Sequence, residues 1–185
     1  MEAILSEVKG NNIIEVHYDL DPENPRSWEN AGTMVYKYRG YGENEGNIDW
    51  DEFSSFEDFT TYLKVEKNAV IVLPLRIFDH SGLSMYVGTT GDRWDSSQVG
   101  AIYITQEDIN NHWGAEFSLE DVEAGLRYEV TAYDHYLKGE VYGYLILASK
   151  TCDTCQHTER EVVDSCWGYY SVEDALQTAK DYVLA

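Results

Sequence analysis

Short segments of alternating hydrophobic and polar residues indicate that much of this chain forms half-buried β-strands. In the segment 12–18, Ile14, Val16 and Tyr18 would lie on one face of a strand. The same reasoning, with glycine-containing connections between neighbouring segments, predicts strands over 33–38, 69–78, 83–89, 99–105, 140–149 and 161–167. The last two are predicted to form a hairpin.

Apolar residues repeated every three or four positions predict helices between some of these strands. The longest begins after Ser118, because Asp121 three residues later resembles a capping box, and it ends at Gly139. Shorter helices are predicted to begin near Ser55, Gln106 and Ser171. Strands outnumber helices and the two are mixed in order. We therefore predict an α+β fold with a mostly antiparallel sheet and about three to four helices packed on it.

Length and composition are typical of one compact domain. The 185 residues are 43% hydrophobic and 14% aromatic, which supplies enough apolar surface for a packed core. We predict a single domain over 1–185, with residues 1–68 as a candidate acidic N-terminal subregion. No apolar run reaches 18 residues, the first twelve residues do not resemble a secretion signal, and three cysteines do not form an even-numbered disulfide set. These features predict a soluble protein of a reducing cytoplasm.

The net charge of the chain restricts the classes of partner that the protein is expected to bind. Thirty-four acidic residues against 13 basic ones give a formal net charge of −21, although a small domain needs only about 2–8 charges to remain soluble. On duplex DNA the same charge would occupy about 36 Å of axis, close to the diameter of about 40 Å expected for this length. Such a field repels nucleic acid and anionic membranes and attracts basic surfaces, including those that hold nucleic acid. An acidic housekeeping domain with a solvated surface is the alternative.

One segment concentrates this charge. Residues 43–58 contain seven acids and no base, with Trp50 and Phe53 among them and Tyr38 and Tyr41 just before. We take this segment as the candidate partner-binding surface, where carboxylates would stand in for phosphates and aromatic residues would supply anchors. Its candidate residues are Glu43, Glu45, Asp49, Trp50, Asp51, Glu52, Glu57 and Asp58. Acids elsewhere often fall in predicted first helical turns, where the helix dipole already favours them.

Cysteines and a histidine near the end of the chain form the closest approach to a metal site. Cys152 and Cys155 have the spacing of half a zinc knuckle, and His157 or Cys166 would complete four ligands. The sequence contains no second such pair. The alternative is three free thiols, with Cys166 in a strand core beside Trp167. We predict no cofactor, with a structural zinc ion as the alternative.

Residues 79–82 contain residue types that occur in hydrolases. Adjacent residues point in different directions, however, and a catalytic triad requires spatial convergence. The sequence contains no nucleotide-binding loop, zincin motif or nucleophile elbow. We predict a protein that is not an enzyme; the alternative is a small metal-assisted hydrolase or nuclease using Asp79, His80 and Asp95. The arginines, such as Arg76, are scattered, so direct binding of nucleic acid is not predicted.

Several longer strings resemble a widespread family of small proteins encoded by bacteriophages, plasmids and other mobile elements. They lie at 24–35, 73–82, 94–103, 133–143 and 164–170, and read NPRSWENAGTMV, LPLRIFDHSG, WDSSQVGAIY, YDHYLKGEVYG and DSCWGYY. The resemblance leads us to expect a Cys and a His before paired basic residues in the second strand. Here the stretch 35–41 has neither. If those positions bind metal in relatives, this chain lacks that site, which further disfavours the enzymatic alternative.

The resemblance also suggests anti-CRISPR proteins that act on the RNA-guided nuclease Cas9. It implies a non-catalytic anti-defence protein in a bacterial host, with guide-loaded Cas9 as the expected partner and neither nucleic acid nor membrane bound directly. Cas9 holds its heteroduplex in a positively charged channel and reads its PAM with arginine pairs, which an acidic protein would occupy. Restriction enzymes are a related target. A structural or regulatory phage protein is the remaining alternative, and the oligomeric state is left open.

Overall fold

The structure is a computed structural model that describes residues 2–80, 82–88, 96–113, 117–151 and 158–184. The chain divides into two compact units, Met1–Glu23 with Gly139–Ala185 and Asn24–Lys138. The acidic subregion predicted over 1–68 therefore spans the boundary between the units. Among the described residues, no helix combines the length and apolar character needed to cross a membrane.

Antiparallel strands and helices alternate irregularly along the chain, which confirms the predicted α+β class. The described residues also form three short 3₁₀ turns, at Pro25–Ser27, Glu45–Asn47 and Trp50–Glu52. The described elements are β1 (Leu5–Lys9), β2 (Asn12–Tyr18), β3 (Thr33–Tyr38), β4 (Tyr41–Asn44), α1 (Phe56–Glu66), β5 (Ala69–Asp79), β6 (Leu83–Val87), β7 (Ser96–Thr105), α2 (Gln106–His112), α3 (Leu119–Lys138), β8 (Tyr142–Thr151), β9 (Thr158–Tyr169) and α4 (Val172–Leu184).

The first unit is a four-stranded antiparallel sheet of order β1-β2-β8-β9, with α4 packed on it. Alternation along β2 and β8 directs Ile14 and Ile146 to the helix, where they are fully buried with Ala179. Helix α4 begins as predicted, because Ser171 Oγ accepts a hydrogen bond of 3.0 Å from the backbone N–H of Asp174.

Gly143 lies beneath the indole of Trp167 in this unit. A Cβ atom at Gly143 would lie 2.1 Å from Trp167 Cε3 and 2.8 Å from the carbonyl oxygen of Cys166, and movement of the indole cannot relieve the backbone contact. We expect Gly143→Ala to lower the free energy of unfolding by about 1–3 kcal/mol, measured by urea denaturation. Ser149→Ala, at an exposed position of the same strand, is the control and is expected to change it by less than about 0.5 kcal/mol. Equal stability of the two variants would contradict the prediction.

The second unit is a five-stranded antiparallel sheet of order β4-β3-β7-β5-β6, with apolar clusters on both faces. Met34, Ile102 and Leu126 belong to the cluster that includes α3. Phe59 and Ala101 belong to the cluster that includes α1. Because successive residues of a strand point to opposite faces, burial on both faces explains the nearly continuous apolar runs of β5 and β7.

Candidate partner-binding surface

The acidic segment 43–58 belongs to the second unit and runs from β4 through two 3₁₀ turns into α1. Polar side chains at the turns determine this path. Asp49 Oδ1 accepts a 3.0 Å hydrogen bond from the backbone N–H of Asp51 and caps the 3₁₀ turn Trp50–Glu52. Ser55 Oγ accepts a 3.1 Å bond from the N–H of Asp58 and begins α1.

Glu45 is part of an internal ion-pair cluster around Arg26. Its carboxylate accepts bonds of 2.7 Å from Nε and from Nη2 of Arg26, and one of 2.6 Å from the N–H of Met34. The Arg26 side chain is only 2% exposed and also donates to Glu129 (2.9 Å) and to the carbonyl of Gly32 (2.6 Å). Burial alone lowers the pKa of Arg26, but hydrogen bonds and charge from Glu45, and then from Glu129, outweigh it and raise the pKa. Glu45 therefore contributes to the folded structure of this unit.

Glu43 lies on the α3 face of the sheet and accepts bonds from neutral groups. Its Oε1 accepts from Asn24 Nδ2 at 3.1 Å and from the Tyr133 hydroxyl at 3.0 Å. Tyr133 uses its single hydrogen in this way, so the Tyr36 hydroxyl donates to the Tyr133 oxygen at 2.9 Å. Burial is the largest cause of the raised pKa of both tyrosines. It raises the pKa of Tyr36 to about 12, and it raises the pKa of Tyr133 as well. Both phenols therefore remain hydrogen-bond donors at neutral pH.

Five carboxylates of the segment are exposed, and we call them the acidic surface. They are Asp49, Asp51, Glu52, Glu57 and Asp58. Asp51 forms an ion pair with Lys37, and this hydrogen bond, followed by the charges of Asp51 and Asp49, raises the pKa of the Lys37 ammonium. The other four make no ion pair with any cation in the described part of the chain. Their charge is therefore available to a partner.

Aromatic residues beside the acidic surface are held by one another. Trp50 packs edge-on against Phe59, with ring centroids 5.0 Å apart, and lies 5.9 Å from Phe56. Phe53 lies 5.0 Å from Phe59 and 5.1 Å from Tyr62. Because Phe59 is fully buried, the half-buried Trp50 and Phe53 have rigid support, which reduces the entropy lost when a partner contacts them.

The two tyrosines expected as anchors have different surroundings. Tyr41 of β4 is 56% exposed. Tyr38 of β3 is half-buried, and its hydroxyl donates a 3.1 Å hydrogen bond to Asp79 Oδ2. Only Tyr41 therefore presents most of its ring to solvent.

An open cavity of about 360 Å³ adjoins the acidic surface. It lies between the β3–β4 hairpin and the 3₁₀ turns, where the side chain of Lys37 shares a face with Val35. Gly42 is paired with Lys37 across the hairpin, where a Cβ atom would lie 2.9 Å from the backbone carbonyl oxygen of Tyr36. The residues that line the cavity include Val35, Lys37, Gly42, Asn44, Ile48, Asp49 and Trp50.

The residues of the hydrolase alternative are only partly described. Asp79 accepts bonds from Tyr38 and from Arg39 Nη1 (2.8 Å). His80 is exposed, and its ring lies 5.1 Å from that of Phe78. Asp95 lies outside the described residues. The surroundings of Asp79 are thus those of a surface ion pair.

Of the four residues of the zinc hypothesis, the structure describes only Cys166. Cys152, Cys155 and His157 lie outside the described residues. Cys166 is a free thiol on β9 and is exposed, so the alternative that placed it in a strand core is wrong. Within the described ranges, no group of three or more His, Cys, Asp or Glu residues is arranged to hold a metal ion.

The arginines that are scattered along the sequence, Arg76 and Arg127 among them, have partners within the chain where they are described. Arg76 is buried and donates to the hydroxyl and carbonyl of Ser96 at 2.9 and 2.6 Å. Arg127 pairs with Glu123, one helical turn earlier, at 2.7 Å. Neither supplies an unpaired cation for a phosphate.

Comparisons with protein-family models, curated proteins and solved structures find no match for this chain. The resemblance to the mobile-element family therefore remains a prediction from the sequence. The candidate site rests on the geometry of the second unit alone.

Two features of this surface are not evident from the sequence. The cavity depends on Lys37, Gly42 and Trp50, which three separate elements bring together. The Arg26 cluster joins residues 19 and 103 positions apart. Gly42 opposite Lys37 would be the one local signal, but the three glycines of the segment 40–46 predict a flexible turn there and not a strand.

Proposed function

We propose that this chain is a non-catalytic anti-defence protein that binds a host nuclease and blocks its nucleic-acid-binding surface. The observation that carries the proposal is the exposure of Asp49, Glu52, Glu57 and Asp58 without a cationic partner among the described residues. Carboxylates arranged in this way accept the charge-assisted hydrogen bonds that arginine and lysine otherwise make to phosphate.

Electrostatics and packing have separate roles in such a complex. A net charge of −21 attracts a basic partner over several ångströms and accelerates association. Individual exposed ion pairs contribute only about 0.2–1 kcal/mol each. The supported rings of Trp50 and Phe53 are therefore the expected anchors, since aromatic residues are enriched among the side chains that dominate interface energies.

Cas9 loaded with its guide RNA is the proposed target, and the resemblance to mobile-element proteins supports this choice. The channel of Cas9 for the heteroduplex is strongly positive, and arginines read its PAM. An inhibitor that occupies these surfaces excludes target DNA and does not need to catalyse any reaction. The protein would then act in the cytoplasm of a bacterial host, where guide-loaded Cas9 meets its DNA. A restriction enzyme, which also holds DNA on a basic surface, is the related target.

The test is a pull-down with guide-loaded Cas9, followed by cleavage of target DNA at low and high ionic strength. We expect binding and loss of cleavage at low salt, and recovery of cleavage at high salt, because the Debye length falls from about 10 Å at 0.1 M to about 3 Å at 1 M. The same assays with restriction enzymes identify the related target. Absence of binding to both classes of nuclease, with normal cleavage, would overturn the proposal.

A further inference from the structure

We infer that the cavity beside Trp50 receives an arginine side chain of the protein partner. In this arrangement the guanidinium lies at the carboxylates of Asp49 and Asp51 and against the Trp50 indole. The inference rests on the proposed function for the source of the arginine. The site itself can be tested without any partner.

The size of the cavity suits one side chain. Its volume of about 360 Å³ is near the lower end of the range of about 300–1,000 Å³ found for ligand sites. Val35 and Ile48 lie at the floor of the cavity and are almost fully buried, so the half-buried Trp50 supplies most of the apolar contact for the methylene groups of an arginine. The open mouth admits a side chain that remains attached to a protein surface.

The indole of Trp50 provides a fixed aromatic wall. It packs against Phe59 at 5.0 Å and Phe56 at 5.9 Å, so its orientation is set by the core of the unit. A guanidinium near an indole ring is attracted by its quadrupole, and Trp is the most favourable ring for this contact. A planar guanidinium also stacks on such a ring, which an ammonium group cannot do.

A cation of the chain itself already occupies the edge of this site. The Lys37 ammonium pairs with Asp51, and Asp51 and then Asp49 raise the pKa of Lys37, which means that the two carboxylates favour a positive charge here. Both side chains of the pair are more than half exposed, at 56% and 55%. Solvent screening makes such a pair weak. A guanidinium that forms two parallel hydrogen bonds to a carboxylate can replace it.

Charge at the site favours a second cation. Asp49 has no ion-pair partner in the described ranges, and Asp51 is balanced only by Lys37. The two carboxylates carry two negative charges against the one positive charge of Lys37, so one negative charge is left for a partner's arginine, and Lys37 competes with that arginine for Asp51. The site therefore binds arginine best when Lys37 does not compete for Asp51.

The test uses ¹⁵N-labelled protein and small probes. The Trp50 indole N–H resonance is assigned by its loss in Trp50→Phe, and N-acetylarginine amide is titrated, with the uncharged N-acetylcitrulline amide as the matched control. We expect a saturable shift of this resonance with arginine only. Asp49→Asn, which retains a side chain able to cap the 3₁₀ turn, should weaken arginine binding about two- to fivefold, and Lys37→Gln should strengthen it by a similar factor.

The same variants separate this inference from the proposed function. If arginine binds as expected, Lys37→Gln should also inhibit the nuclease better, and Asp49→Asn should inhibit it less. Equal shifts with arginine and citrulline probes, or none with either, overturn the arginine site even where inhibition persists. A saturable arginine site in a protein that binds no nuclease overturns the proposed function instead.

Discussion

We expect Arg26→Met to lower the free energy of unfolding by about 3–5 kcal/mol, because it leaves two partly buried carboxylates without a counter-charge. Arg26 donates to Glu45 at two atoms and to Glu129 at a third, and its side chain is almost fully enclosed. These contacts join the segment that precedes β3 both to the turn that follows β4 and to α3. Urea denaturation followed by circular dichroism measures the change.

Two controls distinguish this ion-pair effect from a loss of packing. Arg127→Met removes an exposed pair with Glu123 on α3 and should cost only about 0.3–0.5 kcal/mol. Adding Glu45→Gln and Glu129→Gln to Arg26→Met removes the unpaired charges and should recover part of the lost stability. A loss below about 1 kcal/mol for Arg26→Met alone, or no recovery in the triple variant, would contradict this explanation.

Arginine geometry gives a further reason for the size of the effect. Arg26 uses Nε, Nη1 and Nη2 on three different acceptors: Glu45, Glu129 and the Gly32 carbonyl. Only a planar guanidinium presents donors in these directions at once. Arg26→Lys should therefore also be destabilising, although it keeps the charge.

Local chemistry made much of the fold predictable. The capping box expected at Ser118 is present, since Ser118 Oγ accepts from the Asp121 N–H and Asp121 Oδ2 accepts from the Ser118 N–H. Both hydrogen bonds join residues that are only three positions apart in the sequence. The apolar runs of β5 and β7 were equally informative because these strands are covered on both faces.

Two of the edge strands, β1 and β4, are not predicted from the sequence. β1 (Leu5–Lys9) is the mixed string LSEVK, and β4 (Tyr41–Asn44) contains Gly42 and reads as a turn. Each strand exists because it continues the hydrogen-bond ladder of a stronger neighbour, β2 or β3. A strand at the edge of a sheet needs little apolar surface, so hydrophobic alternation is weak there.

The sequence alone also does not show which carboxylates of the segment 43–58 are exposed and which are bonded within the unit. Glu45 and Asp49 look alike in the sequence, but only Glu45 meets an arginine across the unit. Which carboxylates remain exposed depends on Arg26 and Tyr133, which come from distant parts of the chain. Charge density along the sequence identified the segment and could not identify its outward-facing members.

The strings that carry the family resemblance overlap this internal network more than the acidic surface. Asn24, Arg26 and Gly32 lie in the first string, and Tyr133 begins the fourth. All four take part in hydrogen bonds around Glu43, Glu45 and Glu129. The segment 43–58 lies between two strings, so the resemblance bears on the fold of the second unit, and the acidic surface has to be tested in this chain.

We expect combined neutralisation of Asp49, Glu52, Glu57 and Asp58 to give the largest loss of function. Replacement by Asn or Gln removes four exposed charges, each contributing about 0.2–1 kcal/mol to binding, for a total of about 1–4 kcal/mol. This corresponds to a rise in Kd of about fivefold to a thousandfold for the nuclease. Titration calorimetry or surface plasmon resonance at several salt concentrations measures both the affinity and its salt dependence.

A matched variant decides whether position or total charge matters. Glu29→Gln, Glu66→Gln, Glu107→Gln and Glu120→Gln together remove four exposed charges from the same unit outside the acidic surface. Both variants have a net charge of −17, since each removes 4 of the 21 excess negative charges. If the partner reads the acidic surface, only the first variant loses affinity and has a shallower salt dependence. Equal losses would mean that the whole field of the protein attracts the partner, and the acidic surface would then have no special role.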